Sequence, residues 1–394
     1  MKISAVICEY NPFHLGHAYH LAETRRNGAD AIVCIQSGSF VQRGEAAIAD
    51  KFARAEAAVR GGADLVVELP HAFAMASAPR FAAAGVHLAA LCGADTLSFG
   101  AECADIGLLS RAALLGTRED VQDAVKSGLA RGLDHPAALT GAMRALDPVA
   151  AKVLESPNNV LAVEYLRALA AHPGISSLAV ARRGAGHDDA FGPETASASF
   201  LRALLSAGGT AEDFLPAQSA AIFRRERAHG AFPVTAQALD APLLAALKRM
   251  QPEDFARLPD VGEGLENRLF SAAQDACSIE DFCRRVKTRR YTYARIRRIA
   301  AAAYTGLTRA HQAALPGYLR VLALNRTGRK VLAALPEDTP VVTKPALRDL
   351  KADDEALFAL ESRADALWAL GCPNPAARVY NAMRKSPIYV NQEL

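Results

Sequence analysis

The 394-residue sequence contains no CxxC pair, and its seven cysteines (Cys8, Cys34, Cys92, Cys103, Cys277, Cys283 and Cys372) are scattered and odd in number. That pattern excludes a zinc ribbon and argues against a disulfide framework, leaving free thiols in a reducing compartment. No apolar run is long enough to span a bilayer, and the chain enters a strand at Lys2 without a basic leader or a cleavage-like site. A cytoplasmic protein with no membrane association is expected. Strong charge of one sign is missing as well. A net charge of +3 neither demands nor excludes nucleic acid, so local clustering must decide. Repeats and low-complexity segments are absent. What remains is a sequence 51% hydrophobic and 22% charged, able to bury real cores, at a length that suits two domains.

The densest chemistry lies in Cys8-Glu9-Tyr10-Asn11-Pro12-Phe13-His14-Leu15-Gly16-His17. A short apolar run with Ile3, Val6 and Ile7 precedes it, and AYHLAETRR follows with the pattern of a helix. A strand passing through a tight loop into a helix presents backbone N–H groups and the positive helix end to an anion. His14 and His17, with Gly16 allowing close backbone approach, place two imidazoles beside that anion. They can stabilise the charge that builds up when an α-phosphate is attacked. This is the HxGH signature of adenylyl-transferring enzymes, and here the surrounding strand–loop–helix pattern is the one the mechanism requires.

Further strands are expected at Ala29–Ile35, Asp64–Leu69, Asp95–Phe99 and Ser177–Ala181, with helices near 17–27, 50–61 and 79–92. Short, nearly all-apolar strands alternating with helices predict an α/β, Rossmann-like parallel sheet covered on both faces. Its ligand crevice lies at the carboxyl ends of the strands. Gly100 follows one strand there, as either a close-approach glycine or a plain turn. The loop from Gln36 to Glu45 carries Arg43, and Lys51 and Arg54 open the next helix. These basic groups are either phosphate or carboxylate ligands or solvated helix charges. Ser156-Pro157-Asn158-Asn159 starts a helix, and a cap explains one asparagine but not two. The strand at Ser177 delivers Arg182 to the same edge. Ala196-Ser197-Ala198-Ser199-Phe200-Leu201-Arg202 opens another helix, with hydroxyls and an arginine suited to a polyphosphate.

Past residue 210 the β pattern fades and helices follow one another, so the expected division is an ATP-binding catalytic domain at 1–210 and a mainly helical domain at 211–394. Arg284 to Arg298 concentrates eight basic residues, with two tyrosines and no acid. Arginines on phosphates and rings able to stack on unpaired bases make an RNA footprint. Asn325-Arg326-Thr327-Gly328-Arg329-Lys330 is a smaller basic set at a possible strand-to-helix turn.

Together, MKISAVICEYNPFHLGHAYHL, SGSFVQRGEAAIADKFARAEAAVRGGADLVVELP, LSFGAE, SPNNVLAVEYL, RRGAGHDD, SASFLR and RRYTYARIRRI resemble the bacterial tRNA(Met) cytidine acetate ligases. The resemblance is most specific from residue 1 to about 205 and thins over the last sixty. It implies activation of acetate by ATP as acetyl-adenylate, with release of pyrophosphate. The acetyl group then passes to N4 of the wobble cytidine, position 34 of elongator tRNA(Met). The ATP contacts it implies fall on Ile7-Cys8-Glu9-Tyr10-Asn11-Pro12-Phe13-His14-Leu15-Gly16-His17-Ala18-Tyr19-His20, Gly100, an asparagine of Asn158-Asn159, and Arg182. Ser199 stands where the family pattern leads one to expect threonine, and a hydroxyl is retained.

On this reading His14 and His17 are catalytic, while Ser197, Ser199 and Arg202 hold the β,γ-phosphates. Mg²⁺ accompanies the ATP, and no protein metal ligands are expected. Arg289, Arg290, Tyr291, Tyr293, Arg295, Arg297 and Arg298 bind the tRNA. Two other readings stay open: a small-molecule adenylyltransferase, which leaves the basic half idle, and a non-catalytic tRNA-binding protein, which leaves HxGH unexplained. Oligomeric state and the acetate contacts are not legible.

Overall fold

A computed structural model describes residues 1–182, 196–262 and 264–391. The RRGAGHDD turn beyond Arg182 lies outside them. Among the described residues there are one eight-stranded sheet and one small hairpin. The sheet begins with β1 (Ile3–Cys8), β2 (Ala31–Ser37), β5 (Leu65–Leu69), β6 (Thr96–Ala101) and β7 (Ser176–Ala181). These five pair side by side in the order β5-β2-β1-β6-β7, all parallel. The hairpin, β3 (Phe40–Val41) and β4 (Glu45–Ala46), rises from the end of β2.

Strand residues alternate between two cores, which is why the runs read as continuously apolar. Ala31, Val33 and Ile35 of β2 join Leu65 and Val67 of β5 in one core. Ile32 and Cys34 join Val66 in the other. The helices covering the sheet include α1 (Leu15–Arg26), α2 (Lys51–Arg60), α3 (Ala78–Leu91), α4 (Pro157–Leu169) and α5 (Ala198–Ser206). Gly61, at the end of α2, is required by packing: a Cβ there would stand 2.4 Å from the Phe13 ring.

The division expected at residue 210 does not divide the sheet. β8 (Leu319–Leu324) pairs antiparallel with β5, and β9 (Val341–Val342) and β10 (Ile388–Tyr389) pair parallel with β8. The sheet is therefore mixed, and the late strands share both cores through Leu319, Val321, Leu322 and Ala323. The possible strand-to-helix turn at Asn325 is one: α7 (Arg326–Ala333) follows β8, and the Asn325 side chain caps it. Because β8 runs against β5, this turn meets Asp64 at the start of β5, away from the edge that carries HxGH. Helix α6 (Tyr293–Thr305) and helix α8 (Ala352–Ala369) complete the elements used below.

Trp368 of α8 is buried and donates its indole N–H to the Ala47 carbonyl at 2.6 Å. No helix among the described residues is long and apolar enough to cross a membrane.

Candidate active site

The order of the parallel strands reverses between β1 and β6, and the loop after β1 opens at that switch point. Its backbone is strongly shaped. Tyr10 has a φ of 46° and the Asn11–Pro12 peptide is cis. Tyr10 is buried and packs edge-on against Phe13, with ring centroids 4.9 Å apart, which holds a left-handed φ unusual for an aromatic residue. The Asn11 carbonyl oxygen Oδ1 accepts the Ile48 N–H at 2.7 Å. Its Nδ2 is buried and has no partner among the described residues.

His14 is the N-cap of α1 and forms a reciprocal capping box with His17. The Gly16 N–H donates to His14 Nδ1 at 3.1 Å, and the His14 N–H donates to His17 Nδ1 at 3.3 Å. The two rings lie 3.7 Å apart and tilted by 30°. Burial, and then the Arg182 charge, lower the His14 pKa to about 4. His17 is lowered well below its ordinary value by burial, His14 and Arg182, against a hydrogen bond to the Pro12 carbonyl. Both rings are neutral at pH 7. With each Nδ1 accepting a backbone proton, the ring proton resides on Nε2. His20, also lowered to about 4 by burial and Arg182, pairs through Nε2 with Ser98 Oγ at 2.9 Å.

Arg182, exposed at the end of β7, stands beside Gly100: its Cγ is 3.6 Å from where a Gly100 Cβ would lie. Its charge also lowers the pKa values of His14, His17 and His20. Ser197 caps α5 by accepting the Phe200 N–H. Ser199 Oγ accepts from Arg202, which also donates to the Asn11 carbonyl at 3.0 Å. That bond ties α5 to the HxGH loop and brings Ser197, Ser199 and Arg202 to the strand ends.

Asn158 and Asn159 reach the same edge, but neither side chain caps α4. Asn158 Nδ2 donates to Glu102 Oε1 at 2.5 Å, and the Asn159 N–H donates to Glu102 Oε2. Asn159 Oδ1 accepts the Cys103 N–H. Glu102, the last residue of LSFGAE, is thus an anchor that sequence reasoning passed over. A carboxylate beside a helix N-terminus is its natural place.

Lys51 and Arg54 are neither phosphate ligands nor solvated charges. Arg54 is buried and donates to the carbonyls of Glu9, Ser37, Gly38 and Ala49. Lys51 Nζ lies 2.5 Å from Glu68 Oε1, 2.7 Å from Asp365 Oδ2 and 3.3 Å from Glu361 Oε1, with every partner buried. Among the described residues, that carboxylate trio is the one group with the spacing of metal ligands. The ammonium already occupies its centre, so the trio does not fit a metal ion.

The basic stretch is less open than its composition suggests. Arg284 and Arg285 pair with Asp281, and Arg298 pairs with Asp260. Arg295 donates twice to the Asp260 carbonyl and lies over the buried Tyr291 ring at 5.0 Å. Arg297 bridges Glu45 and Glu280. The absence of acids holds only within the stretch itself. Arg289 and Tyr293 are exposed, and Arg290 is half-buried.

A switch-point HxGH loop with neutral imidazoles and flanking arginines defines a nucleotidyl transferase, and a sequence model of the HIGH Nucleotidyl Transferase family matches residues 1–382. The tRNA(Met) cytidine acetate ligase of Acetivibrio thermocellus is 35% identical, covering 96% of this chain and 97% of the relative. That of Syntrophotalea carbinolica is 40% identical over 85% of this chain and 82% of the relative. Thermotoga maritima TmcAL, crystallised with alpha-thio ATP, superposes with a TM-score of 0.91 at 30% identity, covering all of both chains. The chain belongs to the tRNA(Met) cytidine acetate ligase family, and it is a ligase.

Proposed function

We propose that this enzyme uses ATP to acetylate N4 of the cytidine at wobble position 34 of elongator tRNA(Met). An acetate oxygen attacks the α-phosphorus, the bond to the β-phosphate breaks, and pyrophosphate leaves. Cytidine N4 then attacks the acetyl carbonyl. A C–N bond forms, the bond from the carbonyl carbon to the AMP oxygen breaks, and N4 releases a proton to solvent.

The observation that carries the first step is the His14–His17 pair, held neutral by burial with ring centroids 3.7 Å apart. Neutral rings donate hydrogen bonds without a proton-transfer step of their own. Acetate is ionised at neutral pH, so it needs orientation and charge neutralisation, not a general base. Ser197, Ser199 and Arg202 suit the β,γ-phosphates, and Arg182 suits the α-phosphate side beside the histidines. Mg²⁺ would supply further charge neutralisation and would travel with the nucleotide, because among the described residues the one ligand-like carboxylate trio is filled by Lys51. For the second step, the anticodon loop offers an unpaired base that a protein can splay out. Arg289, Arg290 and Tyr293 suit its backbone and base faces.

The test is incubation with ATP, acetate and tRNA(Met), followed by nucleoside mass spectrometry. N4-acetylcytidine that requires acetate and disappears on His14→Ala supports the reading. Its absence, with ATP still bound, would favour a small-molecule adenylyltransferase.

A further inference from the structure

The turn of the β3–β4 hairpin is fastened on both sides of one residue. Before it, the Gln42 N–H donates to Glu9 Oε1 at 2.9 Å, anchoring the turn to the HxGH loop. After it, Gly44 adopts a φ of 75° and lies against the backbone of α6. A Cβ on Gly44 would stand 2.4 Å from the Arg298 nitrogen. Next in the chain, Glu45 shares its carboxylate between Arg202 of the nucleotide site at 3.5 Å and Arg297 of α6 at 3.3 Å. The hairpin is therefore a bridge with one foot at HxGH and the other on the basic helix.

Arg43, at the crown of that bridge, is not hydrogen-bonded into it, although its charge favours the ionised Glu9 that anchors the turn. It is exposed, and among the described residues no hydrogen bond or ion pair engages its guanidinium. The neighbouring cations differ in this respect. Arg202 is committed to the Asn11 carbonyl, Ser199 and Glu45, and Arg295, Arg297 and Arg298 to acids and carbonyls of their own surroundings. A fixed backbone carrying an unengaged guanidinium is a pre-organised phosphate ligand, because a planar fork loses little on binding.

We propose that Arg43 binds a backbone phosphate of the acceptor RNA next to the cytidine being modified, positioning that base over the adenylate. The proposal rests on the acetate-ligase reading above. RNA is favoured over the triphosphate because the bridge seats the turn on α6, whose approach carries exposed Arg289 and Tyr293. On the proposed function the nucleotide phosphates already have Arg182 and the imidazoles.

The experiment compares the unmodified enzyme with Arg43→Gln and Arg43→Lys in three assays: acetate-dependent pyrophosphate exchange without RNA, KM for tRNA in acetylation, and salt dependence of tRNA binding. For Arg43→Gln, KM for tRNA rises about tenfold, while exchange stays within twofold. One lost phosphate contact makes the slope of log K against log salt shallower by about 0.7 to 0.9. Arg43→Lys keeps the slope and recovers most of the KM. Exchange falling in step with acetylation would place Arg43 on the triphosphate and overturn the proposal, as would an unchanged salt slope. Absence of exchange in the unmodified enzyme would overturn the adenylation reading instead.

Discussion

Replacing Lys51 by methionine removes the centre of a buried charge network while keeping its apolar stem. In the native protein, three carboxylates (Glu68, Glu361 and Asp365) surround Lys51 Nζ, and Arg320 Nε lies 3.4 Å from Glu68 Oε2. All four partners are at most 2% exposed. Burial and the Arg320 charge oppose ionisation of Lys51, yet the three acids raise its pKa above the ordinary value. Removing one partner of a buried ion pair costs roughly 3–5 kcal/mol, because the other charges stay desolvated and unmatched. Native stability is only about 5–15 kcal/mol, so Lys51→Met removes roughly a fifth of it or more.

The same network sets a pH signature. Burial, then the Glu361 charge, raise the Glu68 carboxyl from 4.5 to about 8. The folded state therefore keeps a proton that the unfolded state loses. That contribution is fully present below about pH 4.5 and is lost as pH rises through about 8. Asp365, raised mainly by burial, acts in the same direction. Urea titration followed by the fluorescence of Trp368, three residues beyond Asp365, reports both effects. Lys51→Met is expected to lower stability by about 3–5 kcal/mol at pH 8. The loss shrinks toward pH 5 as the stranded acids protonate, and Lys51→Met combined with Glu68→Gln recovers part of it. A loss below about 1 kcal/mol at pH 8, or one that does not vary with pH, would refute the reasoning.

Four further outcomes follow from the site. His14→Ala removes the cap of α1 and, under the proposed function, a donor to the transferring phosphate. Acetylation should fall by about 10²–10³, as for loss of an oxyanion donor, and thermal unfolding should report a loss of about 1 kcal/mol from the cap. Because burial lowers His14 to about 4, its neutral form dominates above that value. Activity limited by this group should be flat from pH 6 to 8 and fall only as pH drops toward 4, which a pH–rate profile checks. Glu102→Gln weakens the hold on Asn158 and Asn159, so KM for ATP should rise several-fold in steady-state assays while kcat changes less. Gly44→Ala strikes the α6 backbone in a left-handed conformation, and limited proteolysis should show the hairpin cleaved faster than in the unmodified protein.

Much of the site was legible because its logic is local. Strand, HxGH loop and helix are contiguous, and the capping box joining His14 to His17 spans three residues. The regular strand spacing likewise gave the parallel order. What could not be read depends on partners far along the chain. Lys51 reads as either a ligand or a solvated helix charge because Glu361, 310 residues away, arrives only through the fold. β8 reads as a possible strand ahead of the Asn325 turn, but its partner β5 lies some 250 residues earlier, so its place in the sheet is not legible. The sheet therefore takes up strands from beyond residue 210. The basic stretch seemed uncompensated because Asp260 and Glu45 lie outside it, although Asp281, three residues before Arg284, was within reach of an i,i+3 reading. Glu102 was visible in LSFGAE, but a lone glutamate carries no signal until α4 is placed beside it.

The central claim is that the HxGH edge makes acetyl-adenylate before any RNA is engaged. Exchange of labelled pyrophosphate into ATP by the purified enzyme, without tRNA, tests it most directly. The account predicts exchange that depends on acetate and is abolished by His14→Ala combined with His17→Ala. Exchange that persists without those two histidines, or none with acetate in an enzyme that still binds ATP, would contradict it.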